Sequence, residues 1–169
     1  QMAFYMLGYA SEIISFVMGF TMASAYDPST GAQKPIIGQI ITMLALMVLL
    51  ASDLHHLILQ YVYISLLELP LGGYVFTDNL LIYILKATTN LFIMGFTIAF
   101  PVVALILFSD IIFGMIMKTN PQFNILAVGF PVKISIAFVV LIVILPSIIF
   151  IFKEQFKNSY NALTIILFQ

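Results

Sequence analysis

Asp53-Leu54-His55-His56 places a carboxylate and two imidazoles within four residues of an otherwise apolar stretch. Ionisable groups inside a membrane segment often mark proton or ion pathways, and imidazole is also a common metal ligand. The metal reading is weak at the level of sequence. Neighbouring residues on a helix project about 100° apart, so His55 and His56 are expected to face different sides. There is no third histidine, no cysteine and no His-Glu pair at ligand spacing. The expectation is therefore no metal and no cofactor, with Asp53, His55 and His56 serving as polar contacts between helices.

Glu12 and Asp110 each stand in an apolar run without a partner nearby in sequence. A charge in such surroundings needs a counter-charge from this chain or another subunit, or a wet cavity. Buried structural pairing is the expectation, and Lys133, alone in its own apolar run, is a further candidate for such a contact. No general-acid pair, nucleophile elbow, phosphate loop or dinucleotide fingerprint is present, so the sequence does not point to an enzyme. The remaining candidate is a loop. Met18, Phe20 and Met22 precede the small residues Ala23, Ser24 and Ala25, and a turn with Asp27, Pro28, Gly31 and Pro35 follows. Flexible methionines make deformable apolar contacts, so this region is either a plain connector or a constriction that yields when something passes.

The composition says what must position these residues. Of 169 residues, 63% are hydrophobic and 8% charged, and the mean hydropathy is +1.16. Soluble domains carry about 25% charged residues, so lipid or the apolar faces of neighbouring subunits must cover this chain. A formal net charge of −1 excludes the basic face that nucleic-acid binding requires. The length suits a single helical membrane domain over 1–169, with about four or five long helices. Gln1 in place of an initiator Met, and a first run that already reads as mid-helix, suggest a fragment.

The runs are too long for simple spans. The first extends from Gln1 to Ala25, with Gly8, Ser11, Ser15 and Gly19 at intervals of three or four, a spacing that lets another backbone come close. Read as one helix, Ile36 to Leu67 would measure about 48 Å against a hydrocarbon core of about 30 Å, so it either breaks near Ser52-Asp53 or is no ordinary span. Asp78 to Met117 contains Pro101, which is expected to kink it or split it. Phe123 to Phe152 contains Pro131 and Pro146, and Lys153 to Lys157 reads as a short polar joint before an apolar tail. The fold expected is all-α: long kinked helical hairpins, with the backbone groups freed by proline satisfied by packed protein in a multi-subunit assembly.

Five motifs in register carry a resemblance. They are Glu12 followed by Met18-Gly19-Phe20; Ala25-Tyr26-Asp27-Pro28-Ser29-Thr30-Gly31-Ala32-Gln33; Asp53-Leu54-His55-His56; Glu68-Leu69-Pro70-Leu71-Gly72; and Asn120-Pro121-Gln122-Phe123-Asn124 leading to Val128-Gly129-Phe130-Pro131-Val132-Lys133. In order and spacing they resemble the FliR family, a subunit of the flagellar type III protein export gate. The resemblance covers essentially the whole chain and implies that the family's N-terminal third is missing from it. It implies a bacterial inner membrane location in the flagellar basal body, a helical pore built with FliP-like and FliQ-like subunits near an FlhB-like subunit, and unfolded export substrates as cargo. It also implies that Met18, Gly19, Phe20, Met22, Tyr26, Asp27, Pro28, Gly31 and Gln33 belong to a plug across the channel. Virulence injectisomes have a related subunit (SctT); Gly129-Phe130-Pro131 looks more like the flagellar form. Outside the family, the competing reading is a small-solute or proton-coupled transporter using Asp53, the histidines and Asp110. Such a transporter should show an internal repeat, which this sequence does not.

Overall fold

A computed structural model describes residues 2–20, 36–68, 78–120 and 125–167. Among the described residues the chain is all-α, with five helices and no strand: α1 (Met2–Met18), α2 (Ile36–Ala51), α3 (Leu54–Glu68), α4 (Asp78–Thr119) and α5 (Ile125–Leu167).

The core is organised by α1. Ala3, Met6, Leu7, Ala10, Ser11, Ile14, Ser15 and Met18 are all buried, a stripe at the three-and-four spacing of one helical face. That face packs most extensively on α4 and also touches α2 and α5. On α2 the buried positions Ile37, Ile41, Ala45 and Leu49 recur every fourth residue, so one narrow edge faces inward and most of the rest is exposed. T-shaped ring pairs join the layers: Phe4 with Phe152 at 5.2 Å and Tyr9 with Phe92 at 5.0 Å.

The small residues of α1 work differently from expectation. Ser11 and Ser15 are buried in the packed face, but a Cβ on Gly8 would meet nothing within 4 Å. The closest approach of α1 and α4 is made from the other side, by Gly95 of α4. A Cβ there would lie 2.8 Å from Tyr9 Cδ1 and 3.0 Å from the Met6 carbonyl oxygen. The contact is set where α1 offers bulk and α4 offers none.

The expected break near Ser52-Asp53 is present. Ser52 N–H still donates to the Val48 carbonyl at 2.9 Å, Asp53 N–H tightens onto Leu50 at 3.2 Å, and Asp53 then takes φ +54°. This left-handed position ends a helix, and Asp tolerates it better than most side chains. The axes of α2 and α3 differ by 72° across the break, and Leu54, 3% exposed, holds the corner in the core.

One expectation is narrowed and one corrected. Pro101 does not split its segment: α4 is one helix of 42 residues with Pro101 inside it. Lys153 to Lys157 is no joint either, because α5 runs unbroken through it and through Pro131 and Pro146 for 43 residues. A proline removes one N–H donor and displaces one carbonyl, and the rest of the hydrogen-bond ladder carries the helix past it. At about 63 and 65 Å, both helices exceed a hydrocarbon core twice over. Each is long and apolar enough to cross a membrane; α2 and α3 would make a third span if taken as one bent crossing. Only 28% and 11% of the most apolar stretches of α4 and α5 are buried within this chain.

Candidate functional site

The end of α1 meets the turn end of the α4–α5 hairpin. Met18 is the last α-helical residue of α1 and is 1% exposed. Gly19 follows with φ +84°, its N–H donating to the Phe16 carbonyl at 3.0 Å. Two conditions favour glycine at this position. The conformation is one that side chains rarely adopt, and a Cβ would stand 2.7 Å from Phe130 Cε1. Phe20, partly buried, packs against the main core.

The ring that Gly19 touches is itself placed by a charge. Lys133 Nζ lies 5.6 Å from the centroid of the Phe130 ring, a cation–π distance, one helical turn further along α5. Lys133 forms an ion pair with Asp110 of α4, and the lysine side chain is 16% exposed. Asp110 and Lys133, each alone in its apolar run, thus face one another across α4 and α5, with the Asp110 side chain 40% exposed rather than buried. Three helices converge here: α1 brings Gly19, α4 brings Asp110, and α5 brings Phe130 and Lys133. Phe130 was legible only as part of a motif; an aromatic three residues before a lone apolar-segment lysine was the signal for its role.

Of the expected plug residues, the structure places Met18, Gly19 and Phe20 at this convergence. Met22, Tyr26, Asp27, Pro28, Gly31 and Gln33 lie outside the described residues. Glu12 is exposed on α1 and has no ion pair among the described residues, which leaves a partner from another subunit as the counter-charge the sequence asks for. Its position alternates with the buried stripe, one residue after Ser11, so it falls on the outward face.

The break after α2 also corrects an expectation. His55 and His56 do not diverge: their ring centroids are 4.1 Å apart with a 37° tilt. Donor atoms of Asp53, His55 and His56 all lie within 4.8 Å of one another. Asp53 sits in the corner and both histidines in the first turn of α3, where side-chain rotation brings the two rings together although neighbouring residues leave the helix about 100° apart. His56 Nδ1 is 3.5 Å from Asp53 Oδ1, with the two side chains 68% and 79% exposed. His55 Nδ1 is buried and has no hydrogen-bond partner among the described residues. The trio can share a proton or, after adjustment, offer three ligands of a tetrahedral set.

The chain matches the family model described as bacterial export proteins, family 1, over residues 1–159. It is 35% identical to the flagellar biosynthetic protein FliR of Bacillus subtilis, an alignment that covers 91% of this chain and 61% of that protein. To FliR of Escherichia coli K12 it is 28% identical, over 96% of this chain and 62% of the relative. To FliR of Borreliella burgdorferi it is 25% identical, over 95% and 60%. The chain therefore spans about three fifths of the length of these relatives. With a family match running nearly end to end, the chain belongs to the bacterial export proteins of family 1.

Proposed function

We propose that this chain is part of a structural and gating subunit of the flagellar type III protein export channel, a role in which it positions a barrier and catalyses no reaction. The observation that carries the reading is the convergence at Gly19. The sequence segment that resembles the channel plug begins at the point where Gly19, the Phe130 ring and the Asp110–Lys133 ion pair come together. Residues 21–35, with Pro28, Gly31 and Pro35, then supply backbone unsuited to a continuous helix. Non-helical backbone at membrane depth persists only inside protein or beside a watery cavity.

The exposed apolar faces of α4 and α5 support assembly. Phe92, Phe96, Phe100, Leu107, Phe108 and Met115 are all more than 48% exposed in the isolated chain. FliP-like, FliQ-like and FlhB-like subunits, together with lipid of the bacterial inner membrane, would cover them in a flagellar basal body. Unfolded proteins are the cargo, and the energy comes from other components.

The test is purification of the full-length protein from its own bacterium, with motility scored after its removal. Co-purification with several small membrane proteins and loss of motility are expected. Recovery alone or as a homo-oligomer would favour a transporter instead. Intact motility with loss of toxin secretion would assign the chain to an injectisome.

A further inference from the structure

We propose that the cavity between the start of α4 and the end of α5 binds the phosphate headgroup of an anionic phospholipid. The cavity has a volume of about 280 Å³ and lies at the end of the hairpin opposite Gly19. Its apolar side comes from Met2, Ala3 and Met6 of α1 together with Leu91. Its polar side comes from Lys86 and Asn90 of α4 and from Gln155, Asn158 and Ser159 of α5. Asn90 Nδ2 donates to Gln155 Oε1 at 3.0 Å, which ties the two long helices together at the cavity wall.

The charge on this wall is one-sided. None of the lining residues is acidic, and Lys86 has no ion pair among the described residues. An ammonium with amide and hydroxyl donors beside it is the arrangement that a phosphate oxygen accepts from. The apolar side identifies the rest of the ligand. A free phosphate has no use for Met2, Ala3 and Met6, whereas a glycerol backbone and the start of an acyl chain do.

Position along the hairpin agrees. Lys86 and Ser159 lie near the ends of the two stretches able to span a membrane, Leu80–Thr119 and Ala127–Ala162. Each stretch overruns a hydrocarbon core of about 30 Å, and Lys86 and Ser159, about 20 Å from the middle of their stretches, fall at headgroup depth when the stretches are centred on a bilayer, where lysine reaches outward from an apolar stem. The ligand needs no contribution from the gate, so the site stands or falls independently of the proposed function.

The test uses the full-length protein extracted in mild detergent with whatever subunits accompany it. Native mass spectrometry would read the lipid retained after addition of phosphatidylglycerol or phosphatidylcholine. Phosphatidylglycerol should be retained preferentially. Lys86→Gln should lower its retention about fivefold, the factor expected for one lysine facing an anionic headgroup. Asn158→Leu, which keeps the charge and fills the cavity, should lower it as well. Lys118→Gln, an exposed lysine at the other end of α4, should change nothing. Equal losses for Lys86→Gln and Lys118→Gln would reduce the effect to general surface charge and overturn the site. So would equal retention of the two lipids, or displacement of phosphatidylglycerol by an equal concentration of glycerol phosphate.

Discussion

Gly19 and Phe130 are 111 residues apart in sequence and in contact in the fold: a Cβ on the glycine would lie 2.7 Å from the ring carbon Cε1. This contact joins the end of α1 to the long hairpin, and it makes the position sensitive to a single methyl group. Gly19→Ala is expected to destabilise the protein by about 1–3 kcal/mol, from the positive φ and from displacement of the ring. Phe130→Leu in the same chain should recover the steric part and leave the backbone part. Thermal unfolding in detergent reads both, and an unchanged midpoint for Gly19→Ala would remove the joint from the account.

The Asp110–Lys133 pair gives a separate handle. Removing one partner strands the other charge between α4 and α5. Lys133→Met is expected to cost about 1–3 kcal/mol, less than a fully buried pair because Asp110 is 40% exposed. The double exchange Asp110→Lys with Lys133→Asp should recover part of the loss. If the exchange is no better than the sum of its single changes, the two residues are not coupled.

Gly95 holds α1 against α4. Gly95→Leu would drive a side chain into Tyr9 and the Met6 carbonyl, so a loss of about 2 kcal/mol or more is expected. Gly8→Ala, where a Cβ meets nothing, should be neutral or slightly stabilising through helix propensity. Equal effects at the two glycines would contradict the packing described.

The corner at Asp53 yields two outcomes. Asp53→Gly relieves a positive φ and should stabilise the break by about 0.5–1 kcal/mol. Replacing His55 and His56 with Asn should leave the metal content of the purified complex unchanged, since two of the three candidate ligands are largely exposed and no fourth is near in sequence. Stoichiometric zinc or iron that disappears on the replacement would show that the trio binds metal.

Sequence carried the fold class well and its geometry unevenly. The apolar runs gave the helices, and the misfit of 32 residues to a bilayer gave the break at Ser52-Asp53, because run length and the period of a helix are local properties. The fate of Pro101 and of Lys153–Lys157 was not local. Whether a helix continues past a proline or a polar patch depends on the whole hydrogen-bond ladder to either side, not on the one residue. The same holds for Gly19. Its place beside a loop motif was readable, but its contact with Phe130 arises only when α1 lies against the hairpin. The histidine pair misled for a different reason: about 100° per residue sets where a side chain leaves the helix, and rotation about its χ angles sets where the ring ends.

The central claim is that the segment after Gly19 closes a channel. Shortening Tyr26–Gln33 in the full-length protein, with assembly verified by co-purification, tests it through the permeability of the cell membrane to ions and small solutes. Met18, buried in α1, and Phe20, packed on the core, anchor the start of this segment. Met22 is the apolar side chain that follows in sequence, and dewetting around it should exclude hydrated ions while the segment is whole. The account predicts a marked rise in leakage with the complex still assembled. Membranes as tight as wild type around an assembled, shortened gate would contradict it and return residues 21–35 to the role of a connector.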